Sequence, residues 1–178
     1  MPRFVALLRA INVGGHTVRM AELVTQFETL GFTAVSTYIA SGNVLFAASA
    51  RTATPLERRI AAALEASLGY AVATFVRTPS ELEAIAAHRP FPDLAPTDAL
   101  YVGFLSRALT AADADRITAS FGGPSDEFAV EGREIFWRRR GRVSESDFSL
   151  KRFETMIGGN ATFRSITTVR ALAARAAP

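Results

Sequence analysis

The chain has 178 residues, 49% of them hydrophobic, a formal net charge of +3 and no cysteine. That apolar content supports a core and is far from the composition of disordered chains. The lack of cysteine excludes disulfides, thiol nucleophiles and cysteine-ligated metals. With only His16 and His88 as histidines, neither a metal site nor a cofactor is expected.

Alanine accounts for 32 positions, and 19 of the 20 basic residues are arginine, Lys151 being the single lysine. The positive excess is compatible with anionic partners but names none. Apolar runs such as Phe4 to Leu8 fall far short of the roughly 20 residues a bilayer requires. No basic stretch followed by an apolar segment opens the chain, so a cytoplasmic protein without membrane contact is the expectation.

In chain order, the apolar run Arg3 to Ile11 predicts a buried strand, ended by the turn signal Asn12-Val13-Gly14-Gly15. Met20, Leu23, Phe27 and Leu30 recur at spacings of three and four before Gly31, the pattern of an amphipathic helix with a glycine stop. Phe32 to Ala40 and Asn43 to Ala47 read as two strands joined by a tight hairpin at Ser41-Gly42. Thr54-Pro55 with Glu57 is a capping-box pattern that opens a helix lined by Leu56, Ile60, Leu64 and Leu68 and closed by Gly69. A strand from Ala71 to Arg77 completes the order strand-helix-strand-strand-helix-strand, the ferredoxin-like split pattern.

A second capping box, Thr78-Pro79-Ser80-Glu81, starts a short helix through Ala87, and the prolines at 90, 92 and 96 mark a connector. Beyond it the order repeats: strand Ala99 to Leu105, helix Thr110 to Phe121, strands Glu127 to Val130 and Arg133 to Arg138, helix Ser149 to Ile157 and strand Ala161 to Arg164, with a terminal helix Thr167 to Arg175. Tyr38 to Phe46 aligns with Phe128 to Phe136, with Gly42 and Gly132 in register. The expected fold is α+β, two ferredoxin-like halves forming a diverged internal duplication. The halves are 1–77 and 98–178, the latter with an extra carboxyl-terminal helix, joined by a helix and Pro-rich connector at 78–97.

The segments Leu7 to Gly15 and Thr37 to Phe46, with Met20, Leu23 and Gly31-Phe32 between them, resemble the bacterial family catalogued as domain of unknown function 1697. The resemblance extends to Pro90-Phe91, Gly132-Arg133-Glu134, Lys151, Thr162, Arg164, Thr168 and Val169. It implies an α+β fold of ferredoxin-like halves and no assigned activity. Where members typically carry Thr-Thr-Arg-Asn-Trp-Asn-Thr, this chain has Ala161-Thr162-Phe163-Arg164-Ser165-Ile166-Thr167-Thr168, without the Asn-Trp-Asn centre.

Two places invite chemistry. In a split unit the loop after the first strand and the hairpin after the second emerge at one end of the sheet. Arg9, Asn12, Gly14, Gly15 and His16 would therefore meet Ser41, Gly42 and Asn43. Glycine-loop amides before a helix attract anions, and Arg9 would clamp a phosphate or carboxylate. The structural alternative is that the glycines supply positive φ, Asn12 closes a turn and Ser41-Gly42-Asn43 makes the hairpin. The spacing matches neither a dinucleotide fingerprint nor a P-loop. The second place is Phe136-Trp137-Arg138-Arg139-Arg140 with Arg142, extended by Lys151, Arg152 and Arg164, a pattern of aromatics and cations that suits single-stranded nucleic acid. Its structural alternative is a buried Trp137 beside arginines paired with nearby acids. No catalytic residue is assigned: Ser41 and His16 suggest a triad only on paper, since no Gly-x-Ser-x-Gly elbow occurs. A non-enzymatic protein binding a small anionic or phosphorylated ligand is the leading expectation.

Overall fold

The computed structural model describes residues 1–12 and 15–177. Among them are eight strands and six helices: β1 (Arg3–Leu8), α1 (Met20–Thr29), β2 (Thr33–Thr37), β3 (Asn43–Ala47), α2 (Ala53–Leu68), β4 (Thr74–Arg77), α3 (Pro79–Ala87), β5 (Ala99–Leu105), α4 (Ala111–Phe121), β6 (Asp126–Glu131), β7 (Glu134–Arg139), α5 (Leu150–Ile157), β8 (Ala161–Ser165) and α6 (Ile166–Ala176). They form two four-stranded antiparallel sheets, ordered β2-β3-β1-β4 and β6-β7-β5-β8. The chain divides into two compact units, Met1–Ala86 with Arg170–Pro178, and Ala87–Val169. The architecture is α+β. No helix among the described residues is long and apolar enough to cross a membrane.

In the first unit, Leu23 and Phe27 of α1 and Leu56, Ile60 and Leu64 of α2 bury one apolar face each against Phe4, Ala6, Val44 and Phe46 of the sheet. The expected helix stops hold: Gly31 and Gly69 both take positive φ, +78° and +80°. The capping box expected at Thr54 does not form, because α2 starts two residues earlier, with Thr52 as its N-cap. Pro55 is tolerated there because first-turn amides have no intrahelical partner to lose. Glu57 is engaged elsewhere: its carboxylate accepts from the Val76 amide at 2.9 Å and pairs with Arg77 at 3.5 Å, tying α2 to β4. The box at Thr78 does form, with the Thr78 amide donating to Glu81 at 2.7 Å and the Glu81 amide to Thr78 Oγ1 at 3.2 Å.

In the second unit, Ile117 and Phe121 of α4 and Phe153 and Ile157 of α5 pack on Leu105, Ile135 and Ala161. Gly103 lies at the centre of this sheet, where an added Cβ would sit 2.6 Å from Phe163 and 2.7 Å from Ile135. The Pro-rich stretch after α3 carries no regular structure, yet it is anchored: Phe91 is buried, and Asp93 and Asp98 bind Arg138 of β7.

Candidate functional site

The β1–α1 loop and the β2–β3 connection meet at one end of the first sheet. Past β1, the Leu8 amide donates to Gly42 O at 2.8 Å and the Arg9 amide to Ala73 O at 2.9 Å, so loop, hairpin and the approach to β4 share one end of the sheet. Asn12 bridges the two connections: its Nδ2 donates to Ala40 O at 3.0 Å, and its Oδ1 accepts from the Val18 amide at 2.8 Å. Asn43 is buried, and its Nδ2 donates to Tyr38 O and Ser41 Oγ, both at 2.9 Å. Gly42 is required twice over, because φ is +79° and a Cβ would lie 2.7 Å from Ile11 Cγ2.

The tight Ser41-Gly42 hairpin expected from sequence is replaced by a longer connection. β2 ends at Thr37, and Tyr38 to Gly42 form an irregular segment in which Ile39 adopts φ +49°. The physical reason lies in the asparagine amides: bonds to the carbonyls of Tyr38 and Ala40 bracket Ile39 and stand in for ladder bonds. A β-branched residue at positive φ is a genuine outlier. Two alanines also take positive φ, Ala10 just past β1 at +58° and Ala34 in β2 at +49°, and Gly15 is at +86°. Ile39 also exposes 51% of its surface, one of two large hydrophobic residues so exposed among those described. The expectation for Gly14 falls outside the described residues.

Sequence reasoning missed Tyr70. Its ring stacks on His16 at 3.8 Å between centroids, against the same loop, and its buried hydroxyl meets no hydrogen-bond partner among the described residues. An unpaired buried hydroxyl costs free energy that a polar ligand atom would recover. Nothing in the local sequence marks this residue, because its role depends on where α2 delivers the chain.

The aromatic-arginine strand is placed differently from its expected role as an exposed track. Phe136 and Trp137 are buried, as are Arg138 and Arg139. Strand alternation sends Phe136 and Arg138 to one face and Ile135, Trp137 and Arg139 to the other. On the first face, Phe136 meets His88 at 5.0 Å, while Arg138 binds Asp93 and Asp98 at 2.8 Å each. The Arg138 hydrogen bond holds the Asp93 carboxyl below its ordinary range, and Asp98 is lowered first by the Ala95 amide and then by Arg138. On the second face, Asp126 gathers three donors: Trp137 Nε1 at 2.8 Å, Arg139 Nη1 at 2.6 Å and Ser146 Oγ at 3.0 Å. Trp137 stacks nearly parallel to Phe128, 8° apart, and packs against Phe148.

Arg140 pairs with Glu127 and Asp93, whereas Arg142 and Lys151 are exposed. Arg164 is buried, donating to Thr162 Oγ1 at 2.7 Å, and desolvation pushes its pKa down to about 10. The signal that escapes sequence reading is the distant acids: Asp93 lies 45 residues from Arg138. Among the described residues no group of three or more His, Cys, Asp or Glu side chains is placed to hold a metal ion.

The family model for Protein of unknown function (DUF1697) matches residues 1–136, from before β1 through the first half of β7. The chain belongs to this family. A solved structure of a conserved bacterial protein from Streptococcus pneumoniae, SP0830, is similar with a TM-score of 0.77 and 22% identity, covering 99% of both chains. At that identity the likeness concerns the fold. No curated protein sequence matches. Neither the description of the family nor that of the Streptococcus protein states a biochemical activity.

Proposed function

We propose that the end of the first sheet, where residues 9–19 meet residues 38–43, binds a small anionic or phosphorylated ligand without catalysing its reaction. The observation that carries this reading is the strained backbone at Ile39, bracketed by the Asn12 and Asn43 amides. Such a residue costs about 1–3 kcal/mol and persists only when its surroundings over-determine it, as at ligand clamps. The unpaired Tyr70 hydroxyl beside His16 supplies a polar contact, Arg9 supplies charge at the end of β1, and Gly15 and Ser41 lie on the exposed rim. Asn12, Gly42 and Asn43 serve as the frame of this site. The reading along β7, single-stranded nucleic acid, has weaker support because its aromatics are interior and its first three arginines are acid-paired.

The test is thermal denaturation with inorganic phosphate and pyrophosphate. Stabilisation of about 2.7 kcal/mol is expected at a hundredfold excess over Kd, reduced in Arg9→Ala and in Tyr70→Phe but kept in Arg142→Ala, an exposed arginine of the other unit. Equal stabilisation of wild type, Arg9→Ala and Tyr70→Phe overturns it.

We also infer that residues 1–77 and 98–178 are ferredoxin-like halves of a diverged duplication, with the chain from Arg170 onward grouping with the first unit. Matching strand orders support this, and so do matching bonds. Leu8 to Gly42 O is repeated by Leu105 to Arg133 O, and Arg9 to Ala73 O by Ser106 to Asn160 O. Gly69 after α2 and Gly158 after α5 both cap in the left-handed conformation.

A further inference from the structure

A second basic feature lies in the other unit, apart from the loop and hairpin. Between α4 and α5 runs an open cleft of about 450 Å³ lined by Arg116, Lys151, Arg152, Thr155 and Met156. Three of these five side chains are cations and none is a carboxylate. Of the three acids on these helices, Asp115 is exposed and outside the lining, and the other two are engaged elsewhere. Asp113 is a bidentate partner of Arg107, at 2.8 and 3.3 Å, and accepts from the Thr110 amide, interactions that hold its carboxyl far below the ordinary range. Glu154 accepts from the Ala161 amide at 2.9 Å.

Two of the cations are positioned before any ligand arrives. Arg116 donates to Met156 O at 3.1 Å and stands 3.9 Å from Asp113, which Arg107 already neutralises. The Arg152 guanidinium lies over the Phe121 ring at 5.2 Å. Neither Lys151 nor Arg152 has an ion pair among the described residues, and both are exposed. In a chain that uses arginine at every other basic position, the one lysine stands in this cleft. An ammonium on a flexible stem is a compact point charge suited to phosphate oxygens, while flanking guanidiniums bind in fixed forks. The volume falls in the range of small-molecule sites and exceeds what one phosphate group needs.

We propose that this cleft binds a polyphosphate group, held by Lys151, Arg116 and Arg152. The experiment is calorimetric titration of the full chain with sodium tripolyphosphate and, separately, with ATP in the absence of divalent metal. Both are expected to bind the wild type if the source is a nucleotide, and tripolyphosphate alone if it is an inorganic chain. Affinity is expected to fall about tenfold in Lys151→Ala and in Arg152→Ala, the loss of one charge-assisted contact. Lys151→Arg is expected to retain part of it. Lys151→Ala leaves Tm unchanged, since its exposed ammonium has no ion pair among the described residues. In the Arg9→Ala background, which weakens the site of the first unit, the same tenfold losses are expected, which separates the two sites. Undiminished affinity in both alanine variants overturns the proposal. So does failure of both anions to bind.

Discussion

The two hairpins β2–β3 and β6–β7 occupy the same place in their sheets and are closed by different means. In the second, Glu131 pairs directly with Glu134 and only two residues turn the chain. In the first, Thr37 pairs with Val44, and six residues intervene, one of them a strained isoleucine. The loops preceding them differ in the same direction: residues 9–19 link β1 to α1, whereas residues 106–110 suffice between β5 and α4. A topology that closes with two residues and five in one unit takes six and eleven in the other, and loops on a rigid scaffold are where binding residues are disproportionately found. The means of fixation differ as well. Neutral asparagine amides hold the first hairpin, and buried ion pairs hold the strand that leaves the second.

The glycines at the two turns offer the strongest way to break this comparison. Gly42→Ala combines a left-handed backbone with a contact at 2.7 Å, so a loss of about 3 kcal/mol is expected. Gly132→Ala has φ +58° but open space around its Cβ, so about 1 kcal/mol is expected. Urea denaturation of both variants measures the gap, and equal losses would mean that the first turn is no more constrained than the second.

Acid should separate the units next. Asp93 and Asp98 have pKa values lowered by folding. The stability they contribute is therefore complete above the ordinary aspartate value near pH 4 and is lost as pH falls below it through the folded values. The amides of Asn12 and Asn43 do not titrate. Hydrogen exchange below pH 4 is expected to expose β7 before β3, and Asp98→Asn is expected to flatten that dependence. Simultaneous exposure of the two strands would remove the distinction.

The smallest effect is also the sharpest for function. Ile39→Asn places a residue that tolerates positive φ at the strained position, with an expected gain of about 1 kcal/mol in stability. A strained functional residue predicts that this gain comes with weaker pyrophosphate binding. A loss of stability in this variant would show that Ile39 is there for packing.

Helices were the most legible part of the chain, because Leu23 and Phe27, Leu56, Ile60 and Leu64, or Phe153 and Ile157 repeat at helical spacing and end at glycines. The convergence of the first loop with the first hairpin was legible as well, since it follows from strand order alone. The closure of that hairpin was not: Asn12 and Asn43 read as turn residues, while their bonds to carbonyls at Ala40 and Tyr38 depend on the folded geometry. The fate of the arginines was hidden for a related reason. A run of three cations reads as solvated charge until strand pairing sets Asp126 opposite Arg139 and the Pro-rich stretch brings Asp93 and Asp98 to Arg138. Tyr70 and the cleft at Arg116 and Lys151 required the tertiary fold.

The tryptophan at position 137 is the only one in the chain. Its indole is buried, stacked on Phe128 and hydrogen-bonded to a carboxylate, all within the second unit. Its fluorescence is therefore a built-in optical gauge of one half of the molecule, silent toward the other. Emission from Trp137 should shift to the red when the second unit opens and water reaches the indole, while circular dichroism still registers the helices of the first unit. Comparing the two spectra from one unlabelled sample thus shows whether the second unit opens together with the rest of the secondary structure or apart from it.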